Sequence, residues 1–86
     1  MYQLIFTDKA VKYLKTISKK DIIRILEALE TLAEHPEVKS NVKRLRNHPI
    51  AVYRLKVGNY RVLFDKKEIL RIIEIIDIGH RKNIYQ

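Results

Sequence analysis

The segment Val52–Phe64, VYRLKVGNYRVLF, carries Arg54, Lys56 and Arg61 and no acidic residue. At its centre, Gly58-Asn59 is a two-residue turn signal between two alternating runs. Such a turn dictates a register. Val57 faces Tyr60, Lys56 faces Arg61, Leu55 faces Val62, Arg54 faces Leu63, and Tyr53 faces Phe64. Opposed residues share a face, so Tyr53, Leu55, Val57, Tyr60, Val62 and Phe64 form one side, suited to pack on helices. The other side holds Arg54, Lys56, Arg61 and Leu63. Like charges directly across a hairpin destabilise it by roughly 0.2–1 kcal/mol. Folding therefore gains nothing from setting Lys56 against Arg61, whereas a phosphate between them would give both cations a partner. The residue types point to a phosphate-binding sheet face. The plainer alternative is that both long side chains splay into water.

Other chemistry is sparse. There is no P-loop, GxGxxG or HExxH motif, and no cysteine to serve as nucleophile, thiolate ligand or disulfide. His35, His48 and His80 are scattered, which argues against a shared metal site, and nothing calls for a cofactor. His35 reads as a helix-end residue, His48 precedes a proline in a loop, and His80 follows the last strand, where it could overhang the sheet. Glu74 and Asp77 read as charge partners for Arg61 or Arg81 rather than as a catalytic pair.

The basic charge is segregated. The formal net charge is +8, yet residues 1–38 and 62–86 are nearly balanced, while 39–61 hold Lys39, Lys43, Arg44, Arg46, Arg54, Lys56 and Arg61 without an acid. A one-signed segment points to a polyanionic partner such as nucleic acid, an anionic membrane surface or an acidic protein. The N-terminal MYQLIFTDKAVKYL has no basic start, long apolar run or cleavage site of a signal peptide. No apolar run approaches the ~20 residues of a membrane-spanning helix.

The elements that must position these residues follow from periodicity. YQLIF (2–6) reads as a strand, and Thr7 can cap a helix carrying Ala10, Tyr13, Leu14 and Ile17. SKKD (18–21) has capping-box character and opens a stronger helix with Ile22, Ile25, Leu26, Leu29, Leu32 and Ala33 on one stripe, stopped near Pro36. The short connection makes the two helices a hairpin. Residues 37–50 read as a long basic loop, 65–68 as a turn, and ILRIIEIIDI (69–78) as a strand apolar on both faces. The expected fold is a single α+β domain over residues 1–86, ordered β-α-α-β-β-β, with the helical hairpin on one face of an antiparallel sheet.

With those residues in place, YRLKVGNYRVLF followed by IGHRKNIY resembles the RelE toxins of bacterial and archaeal toxin–antitoxin pairs, and the likeness in size, charge and element order covers nearly the whole chain. The resemblance implies a ribosome-dependent endoribonuclease that cuts messenger RNA in the ribosomal A site. It implies catalytic roles for Arg54, Lys56, Arg61, Arg81 and Tyr85. In that reading the RNA 2′-OH attacks the adjacent phosphorus, Arg54 and Arg61 stabilise the added negative charge, and Arg81 serves the leaving 5′-oxygen. Either Lys56 or Tyr85 accepts the 2′-OH proton. Lys43, Arg44, Arg46, His80 and Lys82 form the expected surrounding RNA-binding set. The resemblance further implies a RelB-like antitoxin, a heterotetramer or higher complex with it, and a cytoplasmic setting. Two other readings share the fold or the patch: a ParE-like toxin that inhibits DNA gyrase without cleavage, and a non-catalytic RNA- or ribosome-binding module.

Overall fold

The computed structural model describes residues 1–37 and 41–84. In chain order the elements are β1 (Gln3–Phe6), α1 (Asp8–Leu14), α2 (Lys19–Glu34), β2 (Val42–Arg44), β3 (Tyr53–Val57), β4 (Tyr60–Lys67) and β5 (Ile72–His80). Both helices begin as their caps dictate. Thr7 Oγ1 accepts from the Ala10 N–H at 3.2 Å and donates to the Ile76 carbonyl at 2.6 Å, which ties the start of α1 to β5. Ser18 Oγ accepts from the Asp21 N–H, opening α2. The Asp21 carboxylate does not complete a capping box. It accepts the Tyr60 hydroxyl at 2.6 Å instead, pinning α2 to the sheet.

The α+β architecture is as expected, with a mixed sheet in the order β1-β5-β4-β3-β2. Three neighbouring pairs are antiparallel, but β1 runs parallel to β5, with Gln3 opposite Ile72 and Phe6 opposite Ile75. Two helices separate β1 from the rest of the sheet, so β1 escapes the alternation that hairpins impose. The core lies between the helices and one sheet face. Ile25, Leu29, Leu32 and Ala33 of α2 meet Leu55, Val57, Val62, Phe64, Ile73, Ile75 and Ile78.

Two element boundaries depart from the sequence reading. The basic loop contains a strand, β2, whose three residues pair with β3. Three residues are too few for a periodicity to declare itself. The last strand starts at Ile72 rather than residue 69, because β4 continues to Lys67 and pairs it with Ile72. Ile69 (96% exposed) and Leu70 (66% exposed) therefore sit at the hairpin tip, and Arg71 closes the turn at φ 55°. An unbroken apolar run carries no mark of where turn ends and strand begins.

Candidate nucleic-acid interface

The hairpin adopts the register that its turn dictates: Lys56 opposite Arg61, Arg54 opposite Leu63, and Tyr53 opposite Phe64. Gly58 takes φ +56° while Asn59 does not turn positive, the pattern of a type II′ connection. Leu55, Val57, Val62 and Phe64 are buried toward the helices, which leaves Arg54, Lys56 and Arg61 on the face turned away from them. Strand β2 enlarges this set. Its register puts Lys43 directly across from Arg54, a second like-charged opposition beside Lys56 and Arg61. Among the described residues, none of these four cations has a carboxylate within ion-pair distance. Glu74 and Asp77 are occupied elsewhere. Asp77 pairs with Lys9 at 3.2 Å and Glu74 with Lys67 at 4.0 Å, so neither is the expected partner of Arg61 or Arg81.

The individual environments differ. Arg61 is only 9% exposed, and its Nη1 donates to the carbonyls of Gly58 (3.0 Å) and Tyr60 (2.9 Å). These bonds fix the guanidinium without cancelling its charge, because both acceptors are neutral. Arg54 is half-buried, and its Nε is sealed from solvent with no acceptor among the described residues. Such an orphaned donor costs free energy unless a ligand supplies the acceptor. Lys56 is exposed. Leu63, between Arg54 and Asp77 in the register, is buried although it lies outside the main core.

The C-terminal segment closes the other side of the patch. Gly79 faces Arg61, and Ile84 folds onto it so closely that its Cδ1 lies 2.9 Å from where a Cβ would stand. Arg81, exposed, donates its backbone N–H to the Asn59 carbonyl at 2.8 Å, tying the segment to the β3–β4 turn. Lys82 is exposed, and its N–H donates to His80 Nδ1. Tyr85 lies outside the described residues.

The expected RNA-binding set divides. Lys43 shares the face of Arg54, whereas Arg44, one residue on, projects toward the helix side with its guanidinium 5.9 Å from the Tyr53 ring centroid. Successive strand residues must point to opposite faces. Arg46 is exposed in the loop after β2. His80 stands opposite Tyr60, its ring edge-on to the tyrosine at 6.2 Å, and so keeps to the helix side rather than overhanging the cations. Tyr60 is itself held: the Asp21 hydrogen bond, with burial second, pushes its phenol up to about 12. Nothing in the residue pattern signals this Asp21–Tyr60 contact beyond the acid at a capping position. Among the described residues no group of three ligating side chains could hold a metal ion, and no helix is long and apolar enough to cross a membrane.

A sheet face carrying opposed cations, unpaired and partly preorganised, can bind a phosphodiester and stabilise charge developing on it. Residues 4–85 match the family described as the ParE toxin of the type II toxin–antitoxin system parDE. The chain belongs to that family. The fold of this toxin is also that of solved RelE proteins. It superposes on the archaeal RelE–RelB complex from Pyrococcus horikoshii with a TM-score of 0.76 at 26% identity, covering 96% of this chain and 98% of that one. The RelB–RelE complex from Methanococcus jannaschii gives 0.73 at 26% identity, covering 94% of each chain. The RelBE2 complex of Mycobacterium tuberculosis gives 0.79 at 23% identity, over 93% and 98% of the two chains. No curated sequence matches the toxin.

Proposed function

We propose that this toxin is a ribosome-dependent endoribonuclease of the RelE type, acting in the cytoplasm on messenger RNA in the A site and held inactive by an acidic RelB-like antitoxin in a heterotetramer or larger complex. The observation that carries this reading is the convergence of Lys43, Arg54, Lys56 and Arg61 on one sheet face, without a carboxylate partner among the described residues. The RNA 2′-OH attacks the adjacent phosphorus, the bond to the 5′-oxygen breaks, and the products are a 2′,3′-cyclic phosphate and a free 5′-OH. Arg61, fixed by the turn carbonyls, and Arg54, whose Nε lacks an acceptor, stabilise the charge that accumulates on the phosphoryl oxygens. Lys56 or Tyr85 accepts the 2′-OH proton, and Arg81, tied to the hairpin turn through its backbone, serves the leaving oxygen. A lysine or a tyrosine is by its ordinary pKa a poor base at neutral pH, so the ribosome's alignment of the RNA supplies much of the rate. Its relatives of known structure that are bound to RelB support an antitoxin partner.

The family match favours a second reading, a ParE-like toxin that binds gyrase and cuts nothing. Mapping messenger RNA 5′ ends after induction separates the two. Codon-registered cuts carrying 5′-OH ends are expected. DNA damage with intact messages would replace the nuclease by the gyrase inhibitor.

A further inference from the structure

The sheet face is electrically graded along its strands. Lys43, Arg54, Lys56 and Arg61 crowd the end near the Gly58-Asn59 turn. At the other end Asp65 stands directly across from Glu74, and the two carboxylates share the Lys67 ammonium at 3.5 and 4.0 Å. A polyanion seated on the cations is therefore repelled from one end and favoured toward the turn. Beyond that turn stands Arg24 of α2. Its Nη2 lies 2.8 Å from where a Cβ on Gly58 would be, an approach that a residue without a side chain permits. Arg24 is exposed. Asp21 and Glu27, three residues to either side, are placed to pair with it on the helix surface. Among the described residues neither comes within ion-pair distance, and the Asp21 carboxylate is given to the Tyr60 hydroxyl. Exposed Lys19 and Lys20 add cations to the first turn of α2, where the helix dipole disfavours them. Helix stability thus gains little from this charge. The turn that separates Arg24 from Arg61 also has both carbonyls engaged: that of Gly58 accepts from Arg61 Nη1 at 3.0 Å, and that of Asn59 from the Arg81 N–H at 2.8 Å.

We propose that Arg24 is a further RNA ligand of this site, gripping the phosphodiester adjacent to the one that is cut as the strand leaves the sheet face over the Gly58-Asn59 turn. A guanidinium suits the role because it can take two phosphate oxygens at once. The run of cations from Arg54 through Arg61 to Arg24 favours an anion that repeats along a chain over a single carboxylate. Arg24 would hold the strand rather than act on the reacting atoms, so it contributes to binding and leaves the bond-breaking step to the face cations. The effect on cutting rests on the nuclease reading; the contact itself needs only bound RNA.

Two experiments test this. In cutting assays on programmed ribosomes, Arg24→Ala should raise KM about tenfold with kcat held, the loss expected for one charge-assisted contact. Arg24→Lys should recover part of it, and the melting temperature should not move. A message with neutral methylphosphonate linkages on both sides of the cut should raise the parent's KM likewise, and Arg24→Ala should add nothing further. If Arg24→Ala still adds its full effect on that message, the phosphate belongs to ribosomal RNA and the proposal fails. The second experiment needs neither ribosome nor cutting. Titration of the parent toxin with a 2′-deoxy trinucleotide, followed by NMR, should shift the Arg24 Nε–Hε resonance together with that of Arg61, whereas a dinucleotide, with its single phosphodiester, should shift Arg61 alone. An Arg24 resonance indifferent to the trinucleotide overturns the proposal. A parent toxin that engages the trinucleotide through Arg24 but cuts no message refutes the nuclease reading and leaves the contact established.

Discussion

Arg61 shows how one side chain can serve both fold and site. The sequence marks it as a liability to folding, since it opposes Lys56, and a role confined to ligand binding would make it dispensable for stability. The structure shows it buried and bonded to two turn carbonyls. Removing those charged-donor bonds, offset by relief from Lys56, should give Arg61→Ala a net loss of about 1–2 kcal/mol in denaturant unfolding. Arg61→Met keeps the packed stem and should recover much of that loss while still failing to cut message, which separates the two roles. Tyr60 yields a pH prediction. Its folded-state value near 12 exceeds the ordinary 10.0, so the unfolded chain gives up this proton first. The stabilisation is complete below pH 10 and disappears between pH 10 and 12. Tyr2 and Tyr13 are raised too, chiefly by burial, and act in the same direction. Tyr60→Phe should flatten, without abolishing, the fall in melting temperature above pH 10, as followed by circular dichroism.

At the level of elements, the β3–β4 hairpin was legible because a two-residue Gly-Asn turn and strict alternation leave one register, and every expected pairing between Tyr53 and Phe64 is present. The helices were legible from their stripes and caps. What escaped was set by partners distant in sequence. The strand nature of Val42–Arg44 exists only because β3 offers a ladder, and it sends Lys43 and Arg44 to opposite faces, which a loop reading could not foresee. The parallel placement of β1, the capture of Tyr60 by Asp21 and the diversion of Asp77 to Lys9 likewise depend on tertiary arrangement. The hairpin turn is a sensitive point. Gly58 adopts φ +56°, and a Cβ there would lie 2.8 Å from an Arg24 guanidinium nitrogen. That guanidinium ends a flexible side chain and can move, but the backbone cannot relax as easily. Gly58→Ala should therefore cost about 1 kcal/mol or more, largely from the positive φ. Because the Gly58 carbonyl also holds Arg61, message cutting should fall further than stability alone explains, as measured by initial rates at matched folded fractions.

The whole molecule acts as a one-sided cation. Its net charge of +8 is concentrated in one stretch of sequence, and the fold gathers much of that stretch on one sheet face. Binding to ribosomes or to RNA should fall steeply with salt, each phosphate contact contributing roughly 0.7–0.9 to the slope of log K against log salt. Filter binding at several ionic strengths checks this, and Lys43→Ala should lower the slope by about one contact's worth. The parallel pairing of β1 with β5 has a consequence for synthesis. Among the described residues β1 finds its only strand partner almost a chain length away, at Ile72–Ile75, and β4 needs the same β5 on its other side. Without β5 the chain can pair β2, β3 and β4 but cannot complete the five-stranded sheet or seat β1. A polypeptide cut short before β5 has the hairpin's cations but neither Gly79 nor Ile84 beside Arg61. Under the nuclease proposed above, such a fragment lacks a completed site, and message should be cut only by chains whose translation has passed the final strand.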